Sequence, residues 1–90
     1  MNTTFLQLPE LKVTDFHQIE LSLESAKVRY GAAAEIERQA WEMFYEGIDA
    51  GYTNDVTGDL LKHAELAETV RLIAYQDWND AKVALLAVYQ

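Results

Sequence analysis

From Thr14 to Ala50 the chain contains no proline, and its apolar side chains recur at helical spacing. At about 100° per residue, Phe16, Ile19, Leu23, Ala26, Tyr30, Ala33, Ala40, Trp41, Phe44 and Ile48 share one broad face. A face of that length and apolarity has to be buried, which commits the chain to packing helix on helix. The same stretch holds eight of the fifteen acidic residues. Glu20, Glu24, Glu35, Glu42, Glu46 and Asp49 fall at spacings of four, seven and eleven and form an acidic ridge, with only Lys27 and Arg38 near enough to relieve it.

Two features inside the run disturb a straight helix. Gly31 costs about 1 kcal/mol relative to alanine, and a regular continuation past it would place Glu37 in the middle of the apolar face. Either the helix kinks or changes phase between Tyr30 and Ala33, or Glu37 is half-buried against a basic residue such as Arg71. The kink is the expectation.

Upstream, Met1 to Val13 alternates weakly around Pro9, the only proline, and reads as an extended arm lying along the helices. Thr14 or Asp15 then caps the first turn, with Gln18 completing a capping-box pattern. Downstream, Gly51 suits the left-handed residue that ends a helix, and the segment through Gly58 is dense in turn formers. Thr57 can cap a second helix that meets no breaker before Gln90. Its main face carries Leu60, Ala64, Ala67, Val70, Ile73, Ala74, Trp78, Ala81, Leu85 and Val88, where the alanines permit close approach. Leu61, Leu72 and Val83 form a thin second stripe on the opposite face. With Leu21 and Val28, that stripe implies a homodimer or coverage by the N-terminal arm.

The expected architecture is an all-α antiparallel helical hairpin or small bundle, one domain over 1–90. It comprises an extended arm over 1–13, helix over 14–50 broken near Gly31, a loop over 51–57 and helix over 58–88. Ninety residues make a marginal core, so help from a partner chain fits.

Several chemistries are excluded by residue type. No cysteine occurs, which removes disulfides, thiolate zinc sites and cysteine nucleophiles. His17 and His63 are the only histidines and belong to no metal-binding pair. The loop around Asp49 to Asp59 carries oxygen side chains at alternate positions, but Asn54 stands where a calcium loop needs glycine and Leu60 where it needs glutamate. Glycine-rich phosphate loops and nucleophile elbows are lacking, and carboxylate pairs such as Glu42 and Glu46 have no evident cleft to split their pKa values. The expectation is a non-enzyme without metal or cofactor. With no basic leader and no apolar run near eighteen residues, it also reads as soluble and cytoplasmic.

What remains is charge. The formal net charge is −8, and the segment from Glu35 to Asp59 alone carries −6, with seven acids against Arg38. Such a surface repels nucleic acid and anionic membranes and suits a partner with a basic surface. Aromatics interleave with the acids, which marks Glu35, Glu42, Glu46, Asp49, Asp55, Trp41, Tyr45 and Tyr52 as the partner-binding set. The leading reading is an acidic inhibitor or decoy that occludes a nucleic-acid-binding surface by partial DNA mimicry, as small phage-type anti-defence proteins do. The alternative is a homodimeric helical adaptor, chaperone or structural protein.

Overall fold

The computed structural model describes the backbone of residues 2–89 and the side chains of residues 16–89. It consists of two helices, α1 (Asn2–Asp49) and α2 (Asn54–Val88), packed antiparallel about a tight connection. No strand occurs among the described residues, so the helical-hairpin expectation holds. The molecule is a rod of 72 × 17 × 16 Å with a radius of gyration of 20.7 Å. A compact chain of this length would have a radius of gyration of about 12 Å. The 48 residues of α1, at about 1.5 Å each, account for the whole long dimension. No third layer covers the pair.

Three sequence expectations change. The arm over 1–13 is not extended: α1 runs from Asn2 through Val13 and beyond, so Thr14 and Asp15 lie inside the helix and do not cap it, and this segment does not turn back over the stripe of Leu61, Leu72 and Val83. An interior proline costs about 3 kcal/mol. The good helix formers around Pro9 and propagation from the long helix offset that loss. The break near Gly31 is also absent, since α1 passes through it with open space where a Cβ would stand. Finally, the loop is shorter than 51–57, because α2 starts at Asn54 and its cap is Thr53 instead of Thr57. Thr53 has extended backbone (φ −61°, ψ 158°), and its hydroxyl accepts from the Val56 N–H.

The connection is closed by a paired C-terminal motif. Gly51 takes φ 74°, the only positive φ among the described residues, while its N–H donates to the Ile48 carbonyl at 3.1 Å and the Tyr52 N–H donates to Gly47 at 3.0 Å. The Tyr52 ring then packs on Gly47. A Cβ there would lie 2.9 Å from a Leu60 methyl and 3.0 Å from that ring, so glycine is what lets α2 approach α1 at the turn.

Burial follows a seven-residue rhythm. In α1 the positions 16, 19, 23, 26, 30, 33, 37, 40, 44 and 47 are all buried or half-buried, and in α2 so are 57, 60, 64, 67, 71, 74, 78, 81, 85 and 88. Alternating steps of three and four are the seam of a two-stranded coiled coil, and they keep facing the partner if the helices supercoil left-handedly. Among the described residues the buried side chains on this seam are all alanines: Ala26, Ala33, Ala40, Ala64, Ala67 and Ala74. Ile48, Val70 and Ile73, expected on the buried faces, are instead 50%, 49% and 59% exposed.

Candidate partner-binding surface

The two flanks of the seam differ. On one, several positions that follow the seam are drawn inward: Ala34 and Trp41 on α1, and Leu61, Glu68 and Lys82 on α2, are half-buried, while Ile48 and Tyr75 stay exposed. On the other, the positions that precede it stay exposed, although Ile36, Met43, Val56 and Val70 are apolar. This open flank holds a groove of about 250 Å³ lined by Ala33, Ile36, His63, Leu66, Ala67 and Val70. Ala33 and Ala67 form its floor, and Ile36 (54% exposed) and Leu66 (62%) stand as its walls. A smaller hollow of about 140 Å³ lies toward the loop, between Met43, Glu46, Gly47, Tyr52 and Leu60.

The sequence-derived set is divided by this geometry. Glu35, Glu42 and Asp49 recur every seven residues along the outer side of α1, and all three are exposed. Arg38 ties up two of them. Its Nε donates to Glu35 at 2.9 Å, and its two terminal nitrogens bridge Glu35 and Glu42. The hydrogen bond from Arg38 lowers the Glu35 carboxyl below its ordinary pKa, and the same pairing raises that of Arg38. Glu46, at the small hollow, and Asp49, Asp55 and Asp59 enter no ion pair among the described residues.

The aromatics go elsewhere. Trp41 stacks on Tyr45 (6.1 Å between centroids, 28° between planes) on the covered flank, and its indole N–H donates to Glu37 at 3.0 Å. Tyr45 remains 59% exposed, and Tyr52 is 54% exposed while serving the turn. Glu37 lies on the seam and accepts from Arg71 Nε, a bond that raises the Arg71 pKa. The pairing alternative for Glu37 is therefore the one observed, and Trp41 completes it.

The groove itself was missed from sequence. Its signal was a stripe one place ahead of the seam, apolar at Ile36 and Met43 on one helix and at Val56 and Val70 on the other with His63 between them, which is visible only once a period of 3.5 is imposed. Among the described residues no group of acids and histidines is arranged to hold a metal ion, and no helix is long and apolar enough to cross a membrane. Comparison with protein-family models, curated proteins and solved structures gives no significant match.

Proposed function

We propose that this chain is a non-catalytic binding protein that captures a partner with a basic surface through its loop-proximal half and acts by occluding that surface. The observation that carries the reading is coincidence in space. The same half of the rod bears the uncovered apolar groove and the segment with −6 of the total −8. Apolar area left in water supplies affinity when it is covered, and the surrounding charge selects the partner and speeds encounter. A partner surface of that sign is one that otherwise holds nucleic acid, so occlusion amounts to competitive inhibition. Because Arg38 neutralises part of the ridge, the imitation of a phosphate backbone rests on Glu46, Asp49, Asp55 and Asp59 more than on Glu35 and Glu42.

The test is affinity capture with the tagged chain from a native lysate, followed by the triple substitution Glu42→Lys, Glu46→Lys and Asp49→Lys. Binding of the captured basic protein should weaken at least tenfold, about 1.4 kcal/mol, and the loss should shrink at high salt. Glu20→Lys with Glu24→Lys, equally exposed but outside the cluster, should leave binding intact. Equal capture by wild type and the triple variant overturns the reading. A second reading, a self-associating helical adaptor, is favoured by the exposure of Leu21, Val28, Leu72 and Val83 at 51–67%, which offers a further surface for a neighbouring helix.

A further inference from the structure

Resting on that reading and specifying its contact, we infer that the open groove is the seat of one amphipathic helix of the partner, with large apolar residues on its inner face and Lys or Arg on its edges. Three observations select this occupant. The first is shape: two helices with a small-residue floor at Ala33 and Ala67 and raised walls at Ile36 and Leu66 leave the channel into which a third helix fits. The second is length. Exposed apolar residues continue along this flank from Ile36 and Val70 in the groove to Met43 and Val56 toward the loop. From Ala33 to Ala50 that is about 25 Å of axis, or roughly five helical turns.

The third observation is charge, and it decides between a foreign helix and a second copy. Two copies joined groove to groove would bring two segments of −6 onto one another, with Glu46, Asp49, Asp55 and Asp59 uncompensated by ion pairs among the described residues. Repulsion between like charges at an interface opposes association. A helix with basic edges reverses the sign of that interaction. His63 in the groove and Glu46 in the hollow beside Met43 are titratable side chains that such a helix would cover directly.

The probe is a synthetic amphipathic peptide of eighteen residues, leucine on one face and lysine on the other, beside a twin in which every lysine is glutamate. Titration calorimetry of the full chain at low salt should give micromolar binding of the lysine peptide and none of its twin. Leu66→Asp and Ile36→Asp should each weaken the lysine peptide at least tenfold, even though each adds a negative charge that would attract it if charge alone mattered. Leu72→Asp, 51% exposed and away from the groove, should leave binding unchanged, with circular dichroism confirming that all variants remain helical. Undiminished binding in the two groove variants overturns the inference. So does a wild-type dimer in sedimentation that Leu66→Asp splits, because the groove would then belong to a second copy. So does failure of the lysine peptide to bind. None of these touches the broader reading, which falls only if the captured partner ignores the Glu42, Glu46 and Asp49 reversals.

Discussion

The two halves of the rod use aromatic residues differently. At the open end they bridge the helices: Tyr30 lies 5.5 Å from Tyr75 and 5.2 Å from Trp78, and Phe16 meets Tyr89 edge-on at 5.6 Å; within α2, the Lys82 ammonium sits 4.1 Å above the Trp78 ring. Near the loop they stay on one helix, with Trp41, Phe44 and Tyr45 in mutual contact along α1. There the seam has the buried alanines Ala40, Ala64 and Ala67, with Trp41 packed against them and half-buried Phe44 and Leu60 toward the turn. A large ring spanning the seam covers apolar surface on both helices at once, whereas alanine brings the backbones close and leaves the flanking side chains in water. The open end is thus stabilised by its own side chains. Both halves leave apolar side chains exposed, among them Leu21, Val28, Val83 and Leu86 toward the open end and Ile36, Met43, Val56 and Leu66 toward the loop, but the loop half also has most of the charge.

The largest expected effect follows from that contrast. Trp78→Ala should cost about 3 kcal/mol, the lower end for a large aromatic because the ring is half-buried. Trp41→Ala should cost less, since its aromatic partners lie on its own helix and the buried side chains of α2 that it packs against are small alanines. Urea denaturation of both variants measures the gap. Equal losses would break the distinction between bridging and non-bridging aromatics.

A smaller effect tests the boundary between the halves, where Glu37 and Arg71 meet on the seam. Glu37→Leu leaves the Arg71 guanidinium and the Trp41 N–H without their acceptor, and half-buried donors stripped of a partner are destabilising. The melting temperature should fall by a few degrees. Glu37→Leu combined with Arg71→Leu should recover most of it, as an apolar pair completes the seam. A double variant no better than the single would mean that the pair contributes more than mutual neutralisation.

The same residue marks where sequence reading stopped. Helix content, the hairpin and Gly51 at the turn followed from periodicity and breakers, because those are local properties. Most of the seam followed as well, from Phe16 to Phe44 on α1 and from Leu60 to Val88 on α2; its edges did not, because a period of 3.6 drifts by about 20° per seven residues from one of 3.5. Carried along both helices, the drift added Trp41 and Ile48 on α1 and Val70 and Ile73 on α2 to the inferred faces. Glu37 was placed correctly on the buried face, and what was chosen wrongly was a kink at Gly31 over its pairing with Arg71. With the sevenfold rhythm, Glu37 is a seam position awaiting Arg71. Of the candidate site, the acids were legible from charge alone. That Arg38 spans Glu35 and Glu42, and that Trp41 turns away from the groove toward Glu37, depends on how side chains settle around a neighbouring helix.

The smallest effect concerns that Arg38 bridge and the acidity of the loop half. Glu35's carboxyl is lowered from its ordinary 4.5, chiefly by the hydrogen bond from Arg38. A group with a lower pKa folded than unfolded binds fewer protons in the native state, so its contribution to stability is present above the unfolded value and disappears as pH falls through the folded one. Both groups are exposed, and solvent screening keeps the effect slight. In carboxyl-detected NMR titration, Glu35 should titrate below 4.5 in the wild type and move up in Arg38→Gln. The acid limb of the stability curve should become correspondingly shallower in that variant. Added salt should narrow the difference between the two proteins, because exposed ion pairs are screened. If Glu35 titrates identically with and without Arg38, the bridge does not persist in solution. The whole ridge would then be free to face a basic partner, and Glu35 and Glu42 would rejoin Glu46 and Asp49 as equal contributors to the binding surface.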